Sequence, residues 1–196
     1  MKYKVMIVED QTMPRELFEL RVQASERFEL ALSIDNAALA DVYCLRFPVD
    51  LILMDVITRD GENGLDAAAR IKRAFPQIKI IIVTSMPECS YLKRAKEIGV
   101  ESFWYKEEQR ESLLDVMERT MNGESVYPGA SPELTLGMAS SYQFTERELE
   151  ILREITSGDT NQEIADRLNM SVATVKTHIL NMLEKTGFRN RTELAV

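Results

Sequence analysis

Two cysteines in 196 residues, Cys44 and Cys89, are too few for a disulfide-stapled secreted scaffold or a four-cysteine zinc site. They suit a reducing compartment. No apolar run approaches the roughly 18–20 residues that span a bilayer. The opening Met1-Lys2-Tyr3-Lys4 runs straight into a strand-like stretch, without the apolar core and small-residue cleavage site of a signal peptide. Nor is there an excess of positive charge. Lys and Arg number 24 against 32 Asp and Glu, a net charge of -8 that disfavours bulk attraction to nucleic acid or anionic membrane. Internal repeats, low-complexity tracts, a glycine-rich phosphate loop and a nucleotide fingerprint are all missing. The expectation is a soluble, cytoplasmic chain. What is present is ordinary: 45% hydrophobic and 29% charged residues, which argues against wholesale disorder and a fibrous fold. The length suits one to two domains.

Short apolar runs alternate with helix-period stretches over the first 120 or so residues. Val5–Val8, Leu51–Met54 and Ile80–Val83 are near-continuous apolar blocks, the pattern of strands buried on both faces of a parallel sheet. Leu30–Ile34 and Phe103–Tyr105 supply two further strands. Helices are expected over Pro14–Ala24, Ala37–Phe47, Gly64–Phe75, Ser90–Ile98 and Arg110–Met121. Five such strand–helix alternations predict right-handed crossovers and an α/β, doubly wound, five-stranded parallel sheet. Its functional crevice should lie outside the carboxyl ends of the strands. The composition changes between Asn122 and Gln143, where three of the eight glycines and two of the six prolines fall. This reads as a linker with a short helix over Pro132–Ala139. Beyond it the pattern is that of a small all-α, four-helix domain. It opens with a capping box at Thr145-Glu146-Arg147-Glu148, stapled by Phe144 and Leu149. A tight turn at Asn169–Val172 then joins a short helix to a longer one, the helix-turn-helix arrangement.

Strand one ends in Glu9-Asp10, strand three in Asp55 and strand four in Thr84, while Lys106 follows strand five. A parallel sheet brings all of these to one edge. Three crowded carboxylates repel one another, and a divalent cation is the simplest remedy; all-oxygen ligation suits Mg²⁺. With Mg²⁺ bound, Asp55 can act as a nucleophile toward a phosphoryl group. Lys106 and the metal would neutralise the equatorial oxygens, and Thr84 would donate a hydrogen bond to one of them. One aspartate at a strand end is commonly a turn former; the five-part set in order is what points to chemistry. The same nucleophile would serve a Mg²⁺-dependent phosphohydrolase. Such enzymes commonly hold a second aspartate two residues later, where this chain has Ile57.

On the long C-terminal helix, Val172, Val175, Ile179 and Met182 recur at helical spacing and should face the domain core. Ala173, Lys176, Thr177 and Leu180 share the opposite face, which a recognition helix places in the major groove. Lys176 suits guanine O6 or N7, and Thr177 a base or a thymine methyl. Thr174 and the helix N-terminus at Ser171 favour a phosphate. Yet Tyr142–Val196 carries seven Lys and Arg against nine Asp and Glu. Its positive charge is local, at Lys176, Lys185, Arg189, Arg191 and His178, so non-specific affinity should be weak and steeply salt-dependent. A helical module that docks a protein partner is the alternative reading.

Glu9-Asp10, Asp55, Thr84-Ser85 and Lys106, each at its strand end, resemble the flavodoxin-like receiver domain of two-component response regulators, over Met1 to about Asn122. The resemblance implies that Asp55 accepts phosphate from a phosphohistidine on a sensor histidine kinase. It implies a Mg²⁺ site of Glu9, Asp10, Asp55 and the backbone carbonyl of Ile57, and a switch formed by Thr84 and Phe103. Two departures stand out. The loop after Asp55 lacks the family's usual Met-Pro pair and is one residue longer, with Asp60 and Glu62 adding negative charge. Phe103 has no hydroxyl, so it would switch by packing alone.

Phe144–Leu152, Asn161–Ala165 and Ser171–His178 resemble the LuxR-type helix-turn-helix, and the whole chain is similar to the NarL/FixJ class of response regulators. That resemblance implies a DNA-binding domain that dimerises on DNA. Lys176 and Thr177 match positions that touch bases. Leu180 matches a position often held by a polar residue, which suggests a methyl contact instead. His178, the sole histidine, lies on the recognition helix, so the phosphohistidine belongs to another protein. The expected organisation is a receiver at 1–122, a linker at 123–143 and a DNA-binding domain at 144–196. The expected function is transcription regulation switched by phosphorylation, through a homodimer on promoter DNA, and not enzymatic turnover. A phosphorylation-independent regulator with a vestigial receiver is the alternative.

Overall fold

Alternation within the apolar blocks decides the layers of the first half of the chain. In a strand, successive side chains point to opposite faces. Val5, Ile7, Leu51, Leu53, Ile81, Val83 and Trp104 therefore bury on one side with Phe18, Val22, Leu113, Val116 and Met117. Met6, Val8, Ile52, Met54, Ile80, Ile82, Phe103 and Tyr105 bury on the other with Leu65, Ala68, Ile71 and Ala95. Each fully buried aliphatic side chain contributes about 1.5–3 kcal/mol, so the two-faced core dominates the stability of this half.

The computed structural model describes residues 2–59, 63–86, 89–106, 111–129 and 135–195, with backbone alone at 89, 142 and 146. Contacts divide the chain into two units, Met1–Ser131 and Pro132–Val196. In the first, β1 (Tyr3–Val8), β2 (Phe28–Ile34), β3 (Leu51–Asp55), β4 (Lys79–Thr84) and β5 (Ser102–Tyr105) form one sheet in the order β2-β1-β3-β4-β5. All four pairings are parallel. Helices α1 (Thr12–Gln23) and α5 (Leu113–Met121) supply residues to one face. Helices α2 (Ala40–Arg46), α3 (Gly64–Ala74) and α4 (Cys89–Ile98) supply the other. The strand order reverses between β1 and β3, which makes their carboxyl ends the switch point where such sheets bind ligands.

The helix expected over Ala37–Phe47 begins instead as a 3-10 turn, Ala37–Leu39, capped by the Asn36 side chain, before α2 starts at Ala40. The stretch expected to be a linker is partly ordered against the first unit. Gly123, at φ +94°, turns the chain back after α5. Val126 then joins the core face under α1 and α5, and Tyr127 packs with the opposite one.

In the second unit, part of the expected Pro132–Ala139 helix falls outside the described residues. The rest is a hairpin of β6 (Thr135–Leu136) and β7 (Ala139–Ser140). Gly137 turns it at φ +59°; a Cβ there would come within 2.3 Å of the Thr186 carbonyl. The Met138 N–H donates to that same carbonyl at 2.9 Å, tying the hairpin to the end of the long helix. Four helices follow: α6 (Glu146–Thr156), α7 (Asn161–Arg167), α8 (Val172–Thr186) and α9 (Arg191–Leu194). Capping boxes open α6 at Thr145/Glu148 and α7 at Thr160/Glu163. Ser171 caps α8, and Gly187 ends it in the left-handed region. Val175, Ile179 and Met182 bury with Ile151, Ile155, Ile164 and Leu194. Among the described residues no helix is long and apolar enough to cross a membrane.

Candidate functional site

The carboxyl edge of the sheet assembles the acidic set. Glu9 follows β1, its N–H bonded to the Ile34 carbonyl at the end of β2. Asp55 closes β3 in register with Val83, and Thr84 pairs with Tyr105. The Lys106 N–H donates to the Thr84 carbonyl at 2.9 Å, so the lysine leaves β5 beside the threonine. Ligand oxygens of Glu9, Asp10 and Asp55 all lie within 4.8 Å of one another. The Lys106 ammonium sits 2.6 Å from Glu9 Oε2 and 2.8 Å from Asp55 Oδ2. The other Asp55 oxygen, Oδ1, accepts from the Val56 N–H at 2.7 Å.

Burial makes this charge imbalance matter. Glu9 is fully buried and Asp55 is 5% exposed. Burial, and then the Asp55 charge, push the Glu9 carboxyl up to about 7 in spite of Lys106. Burial also raises Asp55, with Lys106 and the Val56 N–H pulling the other way. For Lys106, burial opposes the charge, but the two carboxylates outweigh it and hold the ammonium above its ordinary value. Three carboxylates with one ammonium are a donor set that fits a hard divalent cation.

Thr84 is buried, and its hydroxyl oxygen accepts from the Met86 N–H at 3.1 Å. Phe103 is also buried, its ring 5.0 Å from that of Tyr105 and 6.3 Å from that of Tyr127. The stretch around Tyr127 lies along β5. The Phe103 N–H donates to the Val126 carbonyl at 2.8 Å, and the Val126 N–H donates to Ser102 Oγ at 3.1 Å. Ser102 Oγ lies 2.7 Å from Thr120 Oγ1, which donates to the Val116 carbonyl. The Tyr127 hydroxyl donates to the Val100 carbonyl at 2.7 Å, and the Lys96 ammonium lies over its ring. Sequence reasoning missed this strap, because Val126 and Tyr127 sit in a stretch whose glycine, proline and serine content reads as loop.

In the loop after Asp55, Ile57 is exposed and bridges Asn63, while 60–62, and with them the acidic Asp60 and Glu62, lie outside the described residues. Gly64 is the close-approach residue: a Cβ there would stand 1.8 Å from the Asp55 carbonyl oxygen. Cys44 is half-buried, its thiol pushed up to about 11 by burial and by Asp41, which disfavours the reactive thiolate. The Cys89 side chain lies outside the described residues.

On α8, Ala173, Thr174, Lys176, Thr177 and Leu180 are exposed together and His178 is half-buried. Ser171 Oγ and Thr174 Oγ1 are 2.7 Å apart, and the Thr177 hydroxyl donates to the Ala173 carbonyl. Arg189 is exposed beyond the helix end. Lys185 stands apart from this group. Its ammonium lies 2.6 Å from Glu148 Oε2 and donates to the Gln143 carbonyl at 2.8 Å, near the Phe144 ring. Burial works against the Glu148 charge, but Lys185 and the Thr145 N–H hold its carboxyl below the usual range. Lys185 therefore locks the α6 capping box to the end of α8.

This fold and this edge define a response regulator: a receiver with an aspartate at its switch point, followed by a helix-turn-helix domain. The chain belongs to that family. The model of the response regulator receiver domain matches residues 5–118, and that of the bacterial regulatory proteins of the luxR family matches 142–196. The response regulator protein VraR of Staphylococcus epidermidis is 34% identical over the whole chain and 96% of its own length; that of Staphylococcus aureus is 33% identical over the same shares. Among solved structures, Salmonella typhimurium RcsB superposes with a TM-score of 0.59 at 18% identity, over 99% of this chain and 96% of the other. A LuxR-family response regulator from Aurantimonas sp. SI85-9A1 gives 0.60 at 20% identity, over 67% and 91%. At these identities the structural likeness speaks for the fold.

Proposed function

We propose that Asp55 is the phosphoacceptor of a switch that controls promoter binding by α8. One observation carries the reading: Lys106 bridges Glu9 and Asp55 at 2.6 and 2.8 Å, with Asp10 completing a three-carboxylate edge. Glu9, Asp10, Asp55 and the Ile57 carbonyl would hold Mg²⁺, which when bound supplies charge neutralisation for the transferring phosphoryl group. Asp55 attacks the phosphorus of a phosphohistidine on a sensor kinase. A P–O bond forms as the P–N bond breaks, and the imidazole nitrogen leaves with the electron pair. Lys106 neutralises the acquired charge and Thr84 donates to a phosphoryl oxygen. The new charge, close to two negative units, biases the Thr84–Phe103 pair. The chain consumes one phosphoryl group per event and is a switch, not a turnover enzyme.

The output surface is α8, with Lys176 and Thr177 toward bases, Thr174, His178 and Arg189 toward phosphates, and Leu180 toward a methyl. Lys185 leaves this set, because its ion pair with Glu148 belongs to the fold of the domain. RcsB has been solved as dimers bound to DNA, and a homodimer on promoter DNA is the corresponding state here, in the cytoplasm. A linker shorter than 123–143 is supported by the docking of 124–127 on the first unit and by the hairpin in the second.

The test is footprinting of promoter DNA with and without a small phosphodonor and Mg²⁺, in wild type and Asp55→Asn. Wild type should take up one phosphoryl group and bind at lower concentration, and Asp55→Asn should do neither. Uptake of label by Asp55→Asn, or identical footprints in all four conditions, would refute it.

A further inference from the structure

The loop after Asp55 has no proline to stiffen it, yet its backbone is held on both sides of one peptide. On one side the Gly64 N–H donates to the Val56 carbonyl at 2.8 Å, closing the Ile57–Asn63 bridge. On the other, Thr58 is 2% exposed and its Oγ1 accepts from the Ala37 N–H at 3.0 Å. The next residue repeats the anchorage: the Arg59 N–H donates to the Asp35 carbonyl at 3.3 Å, and its guanidinium lies 2.7 Å from the Asp35 carboxylate. The peptide plane between these anchors, joining Ile57 to Thr58, carries the Ile57 carbonyl.

We propose that Thr58 is a positioning residue for the cation. By latching the phosphoacceptor loop to the start of the 3-10 turn at Ala37, it limits the freedom of the Ile57 carbonyl that the proposed function assigns to the metal. The inference rests on the phosphoacceptor reading of the site. Its physical content is the missing proline: a proline restricts φ covalently, whereas this chain restricts the same stretch by a buried hydrogen bond from outside the loop. A carbonyl free to swing would spend part of its time off the metal. Groups that orient a ligand without touching the metal typically change affinity about 10–100-fold when removed.

The experiment titrates the full-length, unphosphorylated chain with Mg²⁺ alone, by calorimetry, and measures the urea midpoint of each variant without metal. Thr58→Val keeps the shape and removes the acceptor; its Mg²⁺ affinity should fall about tenfold or more. Thr58→Ser keeps the acceptor and should stay within about twofold of wild type. Arg59→Met loosens the solvent-side anchor without disturbing the interior, and should fall between the two; it carries the test if Thr58→Val does not fold. A lower urea midpoint for Thr58→Val with unchanged Mg²⁺ affinity would make Thr58 purely structural and overturn the proposal. So would a serine variant no better than valine, or, where valine does not fold, an Arg59→Met protein that binds like wild type. Wild type that binds no Mg²⁺ would instead bring down the phosphoacceptor reading, and this inference with it.

Discussion

Glu9 makes the metal-free protein less stable as pH rises, an effect opposite to that of most paired carboxylates. Its folded carboxyl is pushed up to about 7 from an ordinary 4.5. The folded state therefore binds this proton more tightly than the unfolded state does. The resulting stabilisation is fully present below the unfolded value and lost as pH climbs through the folded one. A unit of pKa is worth about 1.4 kcal/mol, so the full difference is about 3 kcal/mol, and about 2 kcal/mol of it disappears between pH 5.5 and 8. For a unit of this size that corresponds to a fall in Tm of roughly 6–10 °C. Glu9→Gln is the matching neutral side chain. Thermal melts of both proteins in chelator should differ by about 1.4 kcal/mol at pH 5.5 and by about 3 kcal/mol at pH 8, the variant being the more stable. Asp55 is also raised and acts with the same sign. Mg²⁺ well above its Kd should close the gap from the wild-type side, because binding to the folded, ionised cluster adds stability that grows with the logarithm of the cation concentration, and Mg²⁺ affinity should rise with pH as the proton is expelled. A wild-type-to-variant gap that stays constant from pH 5.5 to 8 would refute the electrostatic account of this edge.

Three further outcomes follow from the packing. Gly64→Ala places a Cβ against the Asp55 carbonyl; it should cost about 1–3 kcal/mol in urea melts and slow phosphoryl uptake, and normal uptake would show that the loop can shift without displacing Asp55. Tyr127→Ala should destabilise the first unit by about 2–4 kcal/mol and speed hydrogen exchange of the Phe103 amide, whose bond to Val126 depends on the strap; unchanged exchange would mean that Tyr127 does not hold it. Glu148→Ala strands the Lys185 ammonium and opens a capping box, so the second unit should lose about 2–4 kcal/mol. Because the Glu148 carboxyl is held below its ordinary value, that contribution is present above the unfolded pKa and vanishes as pH falls through the folded one; a difference between variant and wild type that persists in strong acid would contradict it.

What could be read from the sequence was what local pattern encodes. Val5–Val8, Leu51–Met54 and Ile80–Val83 lie in the central strands because every one of their residues is buried, and the order of Glu9, Asp55 and Thr84 just beyond them was enough to place the acidic edge. The capping box at Thr145/Glu148 was equally local, closed within three residues; the one at Thr160/Glu163 is just as local and was not read. The rest was set by partners far away in the chain. Val126 meets Ser102 across 24 residues, Lys185 meets Glu148 across 37, and Thr58 meets Ala37 across 21. Counting charge on the last third of the chain put Lys185 with the DNA-facing groups, because composition cannot reveal that a lysine already has a buried carboxylate. The Ala37–Phe47 helix was read as continuous because its composition is helical throughout; the Asn36 cap, which satisfies the Ala38 N–H, starts a tighter turn first.

The acidic edge works against the fold that carries it, and the two-sided core explains how it persists. Three carboxylates face one ammonium in a region where Glu9 has no access to water, so the edge is held together by the strands beneath it and not by its own electrostatics. Any ligand that changes the charge there acts on an arrangement already under stress, and its binding energy includes relief of that stress. A cation relieves it directly. On the proposed reading, a phosphoryl group on Asp55 would replace one carboxylate charge with nearly two, more than Lys106 alone could balance, and Thr84 and the loop held by Thr58 would be the groups free to adjust. Phe103 lies on the same strand as the approach to Lys106, and its amide and ring both contact the 126–127 strap. Those contacts, with the Ser102 and Val100 bonds beside them, tie the strap to the strand that ends at the acidic edge.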